Sequence, residues 1–123
     1  MAKQNSGVLF VDLLNILPEE VELLIQAPSL ENEIIQEMME VSEFDYYKRI
    51  RMSHTKREVL INQILDYSIS DYFQSIQIKL NNKLLFEGYD GVEFGILSNS
   101  VDVPEWFETS YILPGECLIS PEW

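Results

Sequence analysis

Cysteine and histidine are almost missing from this chain: its 123 residues hold one of each, Cys117 and His54. One cysteine excludes an internal disulfide framework and a cysteine-built zinc site, and one histidine excludes a histidine-rich metal site. Five glycines and five prolines leave no room for a collagen-like or low-complexity segment. No apolar run reaches about 18 residues, so the sequence predicts no membrane span. An export signal is not expected either. Asp12 interrupts the apolar stretch 8–17, and Pro18-Glu19-Glu20 follows it where a small-residue cleavage site would stand. The expected compartment is the cytoplasm, where a lone thiol stays reduced. Positive charge is scarce as well: 8 basic residues face 21 acids, for a net charge of −13 and a pI near 4.2.

The rest of the composition is that of a globular protein, with 46% hydrophobic and 24% charged residues. The length suits a single domain, residues 1–123, with enough chain to bury a core without staples. The charge is unevenly placed. Residues 1–47 carry ten acids and only Lys3; residues 48–86 carry seven bases and three acids; residues 87–123 carry eight acids and no base. The basic middle cannot neutralise both acidic flanks, so a strongly negative surface is expected.

Hydrophobic spacing predicts an α+β fold, with N-terminal helices (about 8–73) packed on a small antiparallel meander (about 75–123). A first helix is expected over 18–26, because Pro18 suits a first turn and Glu19, Glu20 and Glu22 suit the positive end of a helix dipole. A second is expected over 30–42, capped by Ser29, with Leu30, Ile34, Met38 and Val41 on the buried stripe and Glu33, Glu37 and Glu40 on another. Residues 44–52 read as helix or helix plus turn. The strongest pattern is 56–73, opened by the capping box Thr55-Lys56-Arg57-Glu58. Its Leu60, Ile61, Ile64, Leu65 and Ile69 are expected to pack on Ile76, Ile78 and Leu85. At Ser75 the period changes from helical to alternating. Strands are expected from 76 to 80 and 83 to 87 around an Asn81-Asn82 turn, then from 92 to 97 after a Gly88-to-Gly91 turn. A short helix over 104–111 and a last strand, Cys117-Leu118-Ile119, complete the reading.

No residue pattern announces catalysis. His54 has no nucleophile or orienting acid beside it in sequence, and Cys117 has no base to lower its pKa. Gly88, Gly91 and Gly95 fit neither phosphate-loop spacing, and Glu87, Asp90 and Glu93 would repel phosphate. Asp90-Gly91-Val92-Glu93 lacks the acid spacing of a calcium loop. Carboxylate pairs abound, but none is singled out for glycoside chemistry; Asp90 with Glu93 is the nearest candidate. The basic run from Lys48 to Arg57 lies in a molecule whose overall field opposes a nucleic acid. No metal, cofactor, membrane or nucleic-acid partner is therefore expected, nor an enzyme.

What remains is acid interleaved with aromatics. Tyr89, Asp90, Glu93, Asp102, Glu105, Trp106 and Glu108 form the expected partner-binding set, with Glu33, Glu37 and Glu40 as the competing surface. Such acids steer a basic protein partner and aromatics anchor it. A small, cysteine-poor, acidic chain of helices followed by a short sheet resembles the immunity proteins of bacterial toxin systems. The stretch from Lys83 to Gly91, with Pro104-Glu105-Trp106-Phe107, carries that resemblance. It implies a non-catalytic inhibitor that occludes a basic toxin. A phage-type inhibitor of a nuclease, an acidic adaptor or subunit on a constitutive partner, and a carboxylate-based enzyme are the alternatives.

Overall fold

The computed structural model describes residues 8–123. Four helices and a seven-stranded mixed sheet make up the fold. Helix α1 (Val8–Ile16) turns Leu9, Phe10, Leu13 and Leu14 inward at helical spacing. Strand β1 (Glu22–Gln26) follows, then α2 (Glu33–Met38), β2 (Glu40–Val41) and β3 (Lys48–Arg51). Helix α3 (His54–Tyr67) leads through a 3₁₀ turn, Ile69–Tyr72, to β4 (Ser75–Leu80) and β5 (Lys83–Tyr89). Strand β6 (Phe94–Leu97), helix α4 (Glu105–Phe107) with a π-helical turn over Glu108–Ile112, and β7 (Cys117–Ile119) complete the chain.

The strand order is β2-β3-β1-β4-β5-β6-β7, antiparallel throughout except for the parallel pair β6–β7. The α+β class holds. The expected helices-then-meander order does not, because three strands precede β4 and the last strand runs parallel.

Strand β1 replaces the helix expected over 18–26. Leu23, Leu24 and Ile25 are all buried, since β1 lies inside the sheet, paired with β3 on one side and β4 on the other. A strand covered on both faces reads as a continuous apolar run, which periodicity cannot separate from a short helix. The helix expected over 30–42 shrinks to six residues. Asn32, rather than Ser29, accepts the capping hydrogen bond from the Ile35 N–H at 3.0 Å. Ile35 and Leu30 are buried while Ile34 and Val41 are exposed, so the expected stripe was half wrong. Residues 44–52 are a turn and a strand, not a helix; Ile50 is the one apolar residue of β3 and points inward.

Helix α3 starts two residues earlier than expected. Ser53 Oγ accepts from the Lys56 N–H at 3.2 Å, so Thr55 and Glu58 are inside the helix and form no capping box. Leu60, Ile64 and Ile69 are core, as expected, together with Ile76, Ile78 and Leu85. Ile61 packs at the core's margin and Leu65 is 51% exposed, which places it on the outer face.

The β4–β5 hairpin turns at Asn81 and Asn82, both with positive φ (51° and 67°), as a two-residue turn of the primed type requires. Ile78 faces Phe86 while Lys79 faces Leu84, so Leu85 is an extra residue in β5. This bulge lets Leu85 and Phe86 both reach the core.

The Phe86 ring then lies over two glycines paired across strands, Gly88 and Gly95. A Cβ on Gly95 would stand 2.2 Å from Phe86 Cζ, and one on Gly88 2.8 Å from Cε2. Cα-only residues at these two positions are what give the ring its place.

Core residues from α1, α3 and α4 meet one side of the sheet in a single cluster. Phe10 meets Phe73 edge-on at 5.8 Å. Helix α4 and its π turn carry the β6–β7 crossover over this same side, where Phe107 and Tyr111 are buried and the Tyr111 hydroxyl donates to Asp12 of α1. Burial, then that carboxylate, push the Tyr111 phenol far above its ordinary pKa.

Candidate functional site

Side chains alternate across a strand, so the residues that do not enter the core face the other way. On β1 these are Glu22, Leu24 and Gln26; the registers align them with Arg49 and Arg51 of β3 and with Ser75, Gln77 and Lys79 of β4. Across β5, β6 and β7 the same rows continue through Glu87 and Tyr89, Phe94 and Ile96, and Leu118. This is the open face of the sheet. None of Leu24, Phe94, Ile96 and Leu118 belongs to the main core cluster.

The two halves of this face differ. Over β1, β3 and β4 lies the loop 42–47. Ser42 Oγ accepts from the Phe44 N–H at 3.2 Å and donates to the Tyr47 carbonyl at 2.6 Å, closing the loop on itself. The Tyr47 hydroxyl is 2.9 Å from Ser75 Oγ, and the Lys79 ammonium stands 5.0 Å above the Phe44 ring. Those contacts fall on the rows either side of Leu24, which is buried although it lies outside the core. Arg49 binds Glu43 of the loop and lies 2.8 Å from Glu22, off the N–H axis, so the second contact is ionic without a hydrogen bond. A backbone hydrogen bond, then Arg49, hold the Glu43 carboxyl below the usual carboxylate range.

Among the described residues no loop folds back over β5, β6 and β7. Tyr89 and Phe94 stack with ring centres 6.4 Å apart and planes 29° apart. Phe94 is 37% exposed and Leu118 46%, with half-buried Ile96 between them. The Tyr89 hydroxyl donates to Glu87 at 3.2 Å. Burial first, then the Glu87 charge, raise its pKa. An apolar strip thus lies on the face, edged by acid.

The expected partner-binding residues divide among three places. Tyr89 is on the open face. Asp90 and Glu93, both exposed, are in the β5–β6 turn beside it. That turn is docked: the Asp90 N–H donates to the Gln74 carbonyl at 3.3 Å and the Gly91 N–H to that of Phe73 at 2.9 Å. Asp102 is at the opposite end of the sheet, lining a groove with Asn81 and Lys83 of the β4–β5 hairpin. Glu105 and Trp106 on α4, and Glu108 at the start of its π turn, are exposed on the helical side of the sheet. The set expected as one surface is therefore not one: Tyr89, Asp90 and Glu93 come together, and the other four do not join them.

The competing set also separates. Glu33 and Glu37 are exposed on α2, whereas Glu40 is in the edge strand β2, 3.9 Å from Arg51. Sequence reading missed Ile96 and Leu118 as surface residues. The alternation Phe94-Gly95-Ile96-Leu97 held that signal, but nothing in it says which side is covered.

The single histidine and cysteine are elsewhere. His54 is exposed at the start of α3, its Nδ1 3.0 Å from Glu19 and its Nε2 3.7 Å from Glu58. Cys117 is fully buried, and burial pushes its thiol pKa up to about 11. Among the described residues no group of three or more His, Cys, Asp or Glu is placed to hold a metal ion, and no helix is long and apolar enough to cross a membrane.

Comparison with protein-family models, with curated proteins and with solved structures gave no match.

Proposed function

We propose that this chain is a non-catalytic, acidic binding protein of the cytoplasm that inhibits a basic protein partner by occluding it, in the manner of a toxin-immunity protein. The observation that carries the reading is the state of the C-terminal acids. Asp90, Glu93, Asp102, Glu105 and Glu108 are all exposed, and the ion pairs found among the described residues fall within residues 19–58. Two of the seven bases of the middle segment, Arg49 and Arg51, are engaged with the N-terminal acids Glu22, Glu40 and Glu43, while the five C-terminal acids stand exposed. An uncompensated negative surface raises the association rate of a basic partner and repels acidic competitors. Exposed aromatics supply the anchors that charge alone lacks.

The test is affinity capture from the source organism at low and at high salt, followed by an activity assay of the purified partner. A basic protein released by salt and silenced at one equivalent of this chain is the expected result. A captured protein that stays fully active in the complex would replace inhibition with an adaptor role. Recovery of no basic protein at low salt would overturn the reading.

A further inference from the structure

The geometry points to the open face of β5, β6 and β7 as the docking surface, and to a basic amphipathic helix of the partner as its occupant. This inference rests on the binding role proposed above and says where and how it is exercised. Three features of the sheet decide the occupant.

The first is the edges. A partner can lend a strand only to an open edge, and both edges here are blunted. Strand β2 is two residues long and carries Glu40. At the two ends of β7, the Glu116 carbonyl accepts from the Gly95 N–H and the Ser120 N–H donates to the Leu97 carbonyl, both toward β6. By alternation Cys117, Ile119 and Pro121 turn outward; Cys117 is fully buried and Pro121 has no N–H, which leaves Ile119 alone. Strand addition has no template.

The second is charge. A second copy laid face to face would bring two molecules of net charge −13 together. Around the strip stand Glu87, Asp90 and Glu93, and residues 87–123 contain no base. The occupant that fits is positive.

The third is the strip itself. Phe94 and Ile96 lie on successive rows of β6, Leu118 stands opposite Ile96 on β7, and Tyr89 stacks on Phe94 at one end. Sheets take helices against their apolar faces, as this sheet does on its other side. Three strands at ~4.8 Å spacing form a bed about as wide as a helix of ~10–12 Å. Leucines on one helix face would meet the strip while lysines or arginines on its flanks meet Glu87, Asp90 and Glu93.

The probe is a dye-labelled 14-residue peptide of leucine and lysine at helical spacing, compared with an isomer of alternating spacing, by fluorescence anisotropy at low and at high salt. The helical peptide is expected to bind the parent more tightly than its isomer. The charge-neutral double variant Phe94→Ser/Leu118→Ser should weaken it tenfold or more, and Trp106→Ser, on the opposite side, should leave it unchanged. If the double variant fails to fold, Leu118→Ser alone, at an exposed position, carries the comparison. Equal binding by parent and variant, tighter binding of the alternating isomer, or a parent dimer that the variant dissolves would each overturn the inference. If the basic partner captured from cells is held equally by parent and double variant, the binding role stands and this placement of it falls.

Discussion

Adding one methyl group at Gly95 tests the packing on which the last three strands depend. In an ordinary strand, replacing glycine by alanine stabilises by about 0.5–1 kcal/mol, because the unfolded chain loses freedom. Here the new Cβ would stand 2.2 and 2.4 Å from Phe86 Cζ and Cε1, and 2.8 Å from the Glu87 carbonyl oxygen. Contact at 3.4 Å or more is ordinary, so the ring must shift by about an ångström in a site where it is fully buried. Overpacking of this kind costs about 1–3 kcal/mol, and expulsion of the ring would cost as much as deleting it, about 3–5 kcal/mol. At the severe end of overpacking, about 3 kcal/mol, subtracting the entropic gain leaves a net loss of about 2–2.5 kcal/mol for Gly95→Ala. With a urea slope of about 1–3 kcal/mol per molar, the unfolding midpoint should fall by roughly 1–2 M, followed by circular dichroism and tryptophan fluorescence. The partner substitution separates this cause from a general loss. Phe86→Leu shortens the obstructing side chain, so it should cost at least about 1 kcal/mol less in the Gly95→Ala background than in the parent. A midpoint that rises on Gly95→Ala, or two substitutions whose costs simply add, would refute the argument.

Ile64→Ala should cost about 2–5 kcal/mol in urea unfolding, and Leu65→Ala, on the exposed face of α3, less than about 1 kcal/mol; the reverse order would mean the helix is rotated. Ser53→Ala should lower stability by about 1 kcal/mol through loss of the cap, while Thr55→Ala should change it by no more than a few tenths. Cys117 has a thiol pKa raised by burial, so its contribution to stability is full below the unfolded value near 9 and is lost as pH rises toward 11. Unfolding free energy should therefore decline by on the order of 1.4 kcal/mol per pH unit between about 9 and 11, and Cys117→Ala should flatten that alkaline slope.

The second half of the fold was legible where one face of a segment is wet. The alternation of Ile76, Ile78 and Leu80 marks β4, and Asn81-Asn82 marks its turn, because both follow from local backbone preferences. The first half hid its strands for opposite reasons. Strand β1 is apolar on both faces and so shows no period, while β3 has only Ile50 among three bases and so shows no pattern at all. Both need neighbours remote in sequence to become strands. The candidate site was legible to the same extent. Tyr89, Asp90 and Glu93 are close in sequence and stay close in space. Trp106, Glu105 and Glu108 share their composition but are carried to the far side by a crossover that only the parallel pairing of β7 reveals. Acid and aromatic content tells what a surface is made of; it does not tell which side of a sheet it is on.

The position of β1 has a consequence for how the chain is made. It is the third strand in the sheet but the first in the chain, and its second neighbour, β4, lies some fifty residues downstream. During synthesis at about 5–20 residues per second, β1 waits several seconds for that neighbour, with Leu23, Leu24 and Ile25 on an unpaired edge. Pairings between distant segments are the slow ones, because the loop must close before the contact rewards it. The nascent chain is thus most prone to aggregate while residues 22–74 are out and Ser75–Leu80 is not. Slowing translation just upstream of β4 should lower the yield of folded protein, and slowing it after β5 should not.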